Sequence, residues 1–166
     1  MKHTLLIKVA LCAAIMFIST GANALGKDFK KLAKIEGVEH VHIGKFLLNL
    51  AAKNGESVNI GEDITFTGKS GDMLKKINSI DVFTSEEKKT VEQLSQQVRN
   101  ILDGNGWEPL IDAKDEEGYK SKIYQKQHGK HTTVVIFAEE DSEASLVVID
   151  GKIDMAQLMN QMNKED

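Results

Sequence analysis

Two histidines that stand two residues apart are the first arrangement in this sequence with chemical potential. His40 and His42 lie in a short run, residues 38–43, whose composition predicts a β-strand. Because side chains alternate along a strand, both imidazoles should point to the same face. Two imidazoles at this spacing can bind zinc or copper, and His128 and His131 in a distant turn can complete the ligand set. The alternative is a strand with one solvated polar face and one buried face.

Acidic residues concentrate in two of the predicted strand connections. One connection carries Asp112 and Asp115, and the other carries Glu139 and Asp141. Alternate turns of an up-and-down antiparallel sheet lie at the same end, so these carboxylates should share one end of the sheet. Carboxylates from two loops can bind Ca²⁺, which takes about six to eight oxygen ligands. The first loop lacks EF-hand spacing, so we expect weak calcium binding or none; the alternative is solvated turns that maintain solubility.

The candidate catalytic motifs are incomplete. Gly68-Lys69-Ser70 is similar to the end of a phosphate-binding loop, but Asp63 occupies the position where that motif requires its first glycine. The same segment lacks the spacing of the nucleophilic serine turn of hydrolases. We therefore predict no catalytic residues, no cofactor-binding residues and no cofactor.

Hydrophobic periodicity predicts the elements that must position these residues. Helical spacing indicates a short helix at 29–33, a second helix at 46–51, a long helix at 84–102 and a last helix after Asp154. Strand-like runs are residues 38–43, 77–83, 107–111, 119–126, 132–138 and 145–149. Short turns join the last four runs, which makes these strands antiparallel neighbours. We predict an α+β fold: an antiparallel sheet of about five or six strands with helices mainly on one face.

The second helix and the segment after it have distinct compositions. Phe46, Leu47, Leu50 and Ala51 lie on one face of this helix, and Asn54-Gly55 predicts its end. Residues 55–72 are glycine-rich and polar, which predicts the longest loop of the chain, with a short strand at 64–67. Loops of this length in compact domains are commonly functional or mobile.

The long helix and the strands after it carry two further signals. Thr84, followed three residues later by Glu87, predicts an N-cap with a capping box. Trp107, Tyr119 and Tyr124 alternate with lysines in the predicted sheet and can bind glycan or peptide. Packing within the core and between strands is the simpler explanation of these aromatic residues.

The N-terminus predicts a cleavable signal peptide at residues 1–24. Lys2 precedes an apolar run at 5–18, and the small residues at 22–24 suit a signal peptidase. The apolar stretch after Lys8 is shorter than the roughly 20 residues that span a membrane. We expect cleavage before Leu25, one α+β domain at 25–166, and a periplasmic or extracellular location without a stable membrane anchor.

The expected mature chain is acidic and has no thiol. Cys12, the only cysteine, lies inside the signal segment. Removal of Lys2 and Lys8 leaves 19 basic residues against 25 acidic ones, a net charge of −6. This balance argues against a nucleic-acid partner, because nucleic-acid-binding proteins usually present a basic face.

Three segments carry a resemblance to a known family: residues 35–41 (IEGVEHV), residues 77–80 (INSI) and residues 146–154 (LVVIDGKID). With the exported N-terminus, they resemble the bacterial envelope family called domain of unknown function 4252, over nearly all of residues 27–162. Many members of that family resemble lipoproteins, whereas this chain lacks a lipoprotein signal. The resemblance implies no activity, so it assigns no catalytic residue.

These observations together favour a non-catalytic function. We expect an exported binding or assembly module of the bacterial cell envelope, with an unknown envelope protein or glycan as partner. The alternatives are an exported hydrolase with an unrecognised active site and a weak cation-binding protein. An exposed apolar patch or sheet edge would favour the binding module, whereas a polar cleft would favour the enzyme.

Overall fold

The computed structural model describes residues 27–60, 64–66, 71–104, 106–116, 118–156 and 158. Its helices are α1 (Lys27–Lys30), α2 (Lys45–Asn54), α3 (Gly71–Lys76) and α4 (Lys88–Leu102), with a 3₁₀ turn at Leu32–Lys34. Its strands are β1 (Glu39–Gly44), β2 (Val58–Ile60), β3 (Ile64–Phe66), β4 (Ile77–Ser85), β5 (Glu108–Lys114), β6 (Lys120–His128), β7 (His131–Glu139) and β8 (Ala144–Gly151). The predicted signal peptide at 1–24, Leu25, Asp63 and Gly68-Lys69-Ser70 lie outside the described residues.

Six strands form one antiparallel sheet in the order β1-β4-β8-β7-β6-β5. The last four strands along the chain are consecutive neighbours, as the short turns between them predict. β4 inserts between this meander and β1, and it pairs with β8 on one side and β1 on the other. The predicted α+β class and the six-stranded antiparallel sheet are therefore confirmed.

Helices cover both faces of this sheet. On one side, here called the α2 face, α2, α3 and the β2–β3 pair bury Leu48, Leu74 and Phe66 against the sheet. On the other side, the α4 face, α1 and α4 contribute residues such as Phe29 and Leu94 to a second core. The helices divide between the two faces, whereas the sequence pattern predicts them mainly on one. The reason lies in the central strands, whose apolar side chains alternate between faces and need cover on both.

The segment expected to be the longest loop contains regular structure. β2 and β3 form a two-stranded antiparallel sheet in which Val58 pairs with Phe66, and Ile60 and Phe66 are buried. The short strand expected at 64–67 is present at Ile64–Phe66, and α3 follows before β4. This hairpin completes the apolar cover of the α2 face, so it is part of the core rather than an independent loop.

The beginning of α4 differs from the prediction. Thr84 lies inside β4, opposite Glu39 on one side and Ser145 on the other, and α4 begins after Glu87 without a side-chain cap. The capping-box prediction is therefore wrong. Thr84 pairs with both neighbouring strands and Ser85 pairs with β8, which holds both residues extended, so the helix starts later than the local sequence signal indicates.

The last helix is described only at its start. Asp154 Oδ1 accepts a hydrogen bond from the Ala156 backbone nitrogen at 3.0 Å, and the Asp154 carbonyl accepts one from Leu158 at 3.0 Å. These contacts agree with the predicted cap at Asp154. Gln157, the partner expected in its capping box, lies outside the described residues.

Candidate functional site

A buried aspartate joins the two histidines that the sequence singled out. In the β1–β4 pairing His42 lies opposite Asp81 and His40 opposite Phe83, all on the α4 face. His40 Nε2 is 2.9 Å and His42 Nδ1 is 2.8 Å from the same atom, Asp81 Oδ1. The Asp81 side chain is only 1% exposed, whereas both imidazoles are partly exposed. The three side chains form what is here called the β1 cluster.

The hydrogen bonds of the β1 cluster determine the imidazole tautomers when the rings are neutral. A carboxylate oxygen only accepts hydrogen bonds, so His40 Nε2 and His42 Nδ1 carry the protons. The ring of His40 also stacks on Phe83, with centroids 4.3 Å apart and planes within 7°. Asp81 Oδ2 has no hydrogen-bond partner among the described residues. Asp81 thus orients both rings and depends on them for its own hydrogen bonding.

A carboxylate that holds an imidazole is a familiar support for metal binding, because it fixes the ring and raises its basicity. In the described part of the chain, however, no group of three or more histidine, cysteine, aspartate or glutamate side chains is arranged to hold a metal ion. The contacts in the β1 cluster are hydrogen bonds, with a proton between each nitrogen and the oxygen. Metal binding by His40 and His42 stays a prediction.

The other two histidines lie elsewhere in the sheet. His128 and His131 close the β6–β7 turn, and β8 and β4 separate β7 from β1. His131 Nδ1 is 3.1 Å from the amide nitrogen of Asn78 and 3.9 Å from Asp150 Oδ2. The structure therefore does not bring this pair together with His40 and His42.

The two acidic turns lie at the same end of the sheet, as predicted. Lys120 pairs with Lys114 on one side and with Glu139 on the other, and Glu139 pairs in turn with Ala144. The turns at residues 115–119 and 140–143 therefore extend from the same end of neighbouring hairpins.

The carboxylates proposed as calcium ligands have local partners instead of a common centre. Asp112 Oδ2 lies 3.0 Å from Lys122 Nζ, and Asp115 Oδ1 accepts a hydrogen bond from the Tyr119 backbone nitrogen at 2.9 Å. Glu139 accepts a hydrogen bond from Lys120 at 3.1 Å and lies 3.5 Å from Arg99. Asp141 is exposed in its turn. Calcium binding at these residues stays a prediction, with weak binding the expected result.

Glutamates at this end of the sheet respond differently to their surroundings. Burial acts to raise the pKa of Glu139, but the nearby Ser95 hydroxyl, the Lys120 hydrogen bond and the Arg99 charge together lower it. Burial, together with the charges of Glu140 and Glu86, raises the pKa of Glu143. Both side chains line an open acidic depression that also includes Glu39 and Tyr119.

Helix α2 exposes an apolar face to solvent. Phe46 is 78% exposed, Leu47 53% and Leu50 44%, whereas Leu48 and Ala52 of the same helix are buried against the sheet. At 3.6 residues per turn, positions 46, 47 and 50 lie on one side of the helix and positions 48 and 52 on the other. The helix thus has two apolar stripes, and the core uses only one. The three exposed residues are here called the α2 patch.

The comparisons with known proteins concern the family and not the activity. The family model described as Domain of unknown function (DUF4252) matches residues 29–161. No curated protein matches the sequence. Among the described residues, no helix has both the length and the apolar character needed to cross a membrane.

Proposed function

We propose that this chain, which belongs to the DUF4252 family, is an exported, non-catalytic binding or assembly module of the bacterial cell envelope. The observation that carries the proposal is the α2 patch, in which Phe46, Leu47 and Leu50 are largely exposed. Its contact with a partner would remove these side chains from water. The signal-like N-terminus at residues 1–24 is the basis for the exported location.

The fold itself does not bury the three side chains of the α2 patch. Burial of apolar surface contributes about 25 cal/mol per Å², so three large side chains left in water represent unused binding energy. Single exposed leucines are ordinary on protein surfaces, whereas a contiguous apolar patch commonly marks an interaction site. The patch spans little more than one helical turn, so its members can contact a partner together.

The chemistry of the patch favours a protein partner over a glycan. A phenylalanine and two leucines match another apolar protein surface better than the polar surface of a sugar. Two of the three aromatic residues that the sequence offered for glycan binding are engaged in packing. Trp107 contacts Phe29 edge to face, with centroids 5.7 Å apart, and Tyr124 packs against the core of the α4 face.

Photocrosslinking in the native envelope tests this proposal. Phe46 is replaced by p-benzoylphenylalanine in one variant, and Gln96, which is exposed on α4, is replaced in the control. We expect a defined protein adduct from position 46, no such adduct from position 96, and loss of the adduct when Leu50→Asp is added. Identical adducts from both positions, or none from position 46, would contradict a role for the α2 patch. Intact-mass measurement of the recovered protein also tests whether its N-terminus is Leu25.

A further inference from the structure

The floor of the acidic depression is a row of mostly small side chains at one end of the sheet. The pairing of β1, β4, β8 and β7 places four residues directly opposite one another: Glu39, Thr84, Ser145 and Ala138. Directly opposite residues of paired strands share a face, so this row crosses four strands on the α2 face. All four residues line the depression. With about 4.8 Å between strands, the row is roughly 14 Å long.

Two hydroxyl groups in this floor are available to a ligand. Ser145 is only 7% exposed, and it forms part of the wall of the depression. Its hydroxyl has no hydrogen-bond partner among the described residues, and neither has the hydroxyl of its neighbour Thr84. A polar group that is removed from water without a partner costs free energy. A hydrogen bond to a bound ligand would recover that cost.

The rim of the depression carries carboxylates without a positive partner. Glu86 follows β4, and the β7–β8 turn holds Glu140 and Glu143 together through a backbone hydrogen bond of 2.8 Å. In the part of the chain that the structure describes, neither these three residues nor Glu39 forms an ion pair with a lysine or arginine. Of the carboxylates that line the depression, Glu139 alone has such partners there.

The pKa of Glu143 reflects this missing positive charge. Burial raises the pKa, and the charges of Glu140 and Glu86 raise it further. A positive group in the depression would stabilise the charged form of all three side chains. Partial burial also strengthens the attraction, because water and salt screen a sheltered pair less than an exposed one. The depression therefore favours a cationic ligand.

The spread of the acceptor groups favours an organic cation over a metal ion. A metal ion needs its ligands within about 2–2.6 Å of one point. No group of three or more histidine, cysteine, aspartate or glutamate side chains among the described residues is arranged in this way. An ammonium group has three donors, which carboxylate and hydroxyl oxygens can accept. A chain with several ammonium groups can match acceptors that are spread over roughly 14 Å.

We infer that the acidic depression binds an extended organic cation, a chain that carries several ammonium groups. These groups pair with the carboxylates of the rim and donate hydrogen bonds to the hydroxyls of Thr84 and Ser145. The depression lies at the Glu39 end of β1, whereas α2 and its patch follow Gly44 at the other end. The site is therefore separate from the α2 patch and does not rest on the proposed function. A lysine-rich segment of a protein and a free polyamine both supply this chemistry.

Calorimetric titration of the exported chain at low ionic strength tests the inference, with tetralysine and spermine as probes. We expect saturable binding of at least one probe at a single site, and no binding of tetralysine whose amino groups are all acetylated. Tighter binding of tetralysine would identify a protein segment as the source of the cation, and tighter binding of spermine a free polyamine. Binding of neither probe, or equal binding of the acetylated peptide, overturns the inference.

Substitutions distinguish a built site from general attraction to an acidic protein. Glu143→Gln should raise the dissociation constant of the better probe at least about fivefold, and Ser145→Ala at least about threefold. The matched control, Glu56→Gln, removes the same charge at an exposed position outside the depression and should change the constant less than about twofold. Equal effects of the two glutamate substitutions, or no effect of Ser145→Ala, overturn the inference. Thermal unfolding verifies that each variant is folded.

Amide chemical shifts locate the bound probe. The amides of residues 84–86 and 143–145 should shift when the better probe is added, and those of α2 should not. Shifts confined to α2, or displacement of the probe by micromolar Ca²⁺, overturn the inference. The envelope adduct from position 46 is measured separately. Its absence contradicts the proposed function and leaves the cation site in place, whereas failure of both probes does the reverse.

Discussion

The two edges of the six-stranded sheet use their polar residues in different ways. At the β1 edge, Asp81 is buried on β4 and both of its hydrogen bonds come from the histidines of β1. At the β5 edge, Asp112 is 65% exposed and pairs with Lys122, and Glu108 accepts a hydrogen bond from Gln125 near the surface. The hydrogen bonds from β1 therefore compensate the buried Asp81 for its lost hydration. The polar pairs of β5 lie at the surface, where water competes for the same groups.

This difference indicates how each edge is held to the rest of the molecule. β1 pairs along its whole length with β4 and adds specific contacts: the β1 cluster, the stacking of His40 on Phe83, and the loop before it, where Thr90 donates a hydrogen bond to the Glu36 carbonyl. β5 depends on main-chain pairing with β6 and on exposed side-chain pairs. Substitutions should therefore be costly at the β1 edge and mild at the β5 edge.

The largest effect is expected from removal of both histidines. His40→Ala with His42→Ala leaves the buried Asp81 carboxylate without a partner, which should lower the free energy of unfolding by about 3 kcal/mol. Chemical denaturation measures the change. The addition of Asp81→Asn should recover part of the loss, because the unpaired charge is then absent. A loss below about 1 kcal/mol would mean that water reaches Asp81 and that the cluster is not the main support of β1.

Two glycines provide a matched comparison of the edges. Gly37, just before β1, has φ +83°, and a Cβ there would lie 2.7 Å from Thr90 Oγ1. Gly118, between β5 and β6, has φ +96°, and a Cβ there would have no atom within 4 Å. Gly37→Ala should therefore cost about 2 kcal/mol and Gly118→Ala about 1 kcal/mol, the backbone strain alone. Thermal unfolding compares the stability of the two variants. An equal loss of stability in both would show that crowding against Thr90 of α4 is unimportant.

Glu139, at the acidic end between the two edges, should make stability depend on pH. Its lowered pKa means that the folded state favours the charged form, so its contribution is present above its ordinary pKa and decreases as pH falls through the folded pKa. Glu139→Gln should cost about 1 kcal/mol at pH 7 and less in acid. Denaturation midpoints of the parent protein and the variant, at pH 7 and in acid, measure this difference in stability. Glu143, with its raised pKa, is the opposite control, and Glu143→Gln should be neutral or slightly stabilising at pH 7.

The smallest effects are expected at the β5 edge. Asp112→Ala removes an exposed ion pair and should cost less than about 1 kcal/mol, with a smaller cost at high salt. The same carboxylate should bind Ca²⁺ weakly or not at all, because its partner is Lys122 and its neighbours are engaged locally. Calorimetric titration of calcium measures the affinity. Saturable Ca²⁺ binding with a dissociation constant below about 10 µM, abolished by Asp112→Ala, would show that the acidic turns do form a calcium site.

The sequence by itself determined the meander, the C-terminal end of α2 and the shared end of the acidic turns. These depend on contacts close in the chain: alternation within a strand, short connections, and Gly55, which ends α2 in a left-handed conformation. The same local character explains why the strands at 132–138 and 145–149 can be recognised as central, since they are apolar on both faces.

Only the tertiary structure decided which side of each element is used. The apolar residues of α2 form two stripes, and packing against the sheet selects Leu48 and Ala52, which leaves the α2 patch exposed. Asp81 is the single charged residue of β4, a signal that becomes meaningful once β1 places two histidines beside it. Thr84 has the pattern of a cap but is held in the sheet by two neighbouring strands. In each case the deciding contacts join residues far apart in the chain, and their free energy exceeds the local preference.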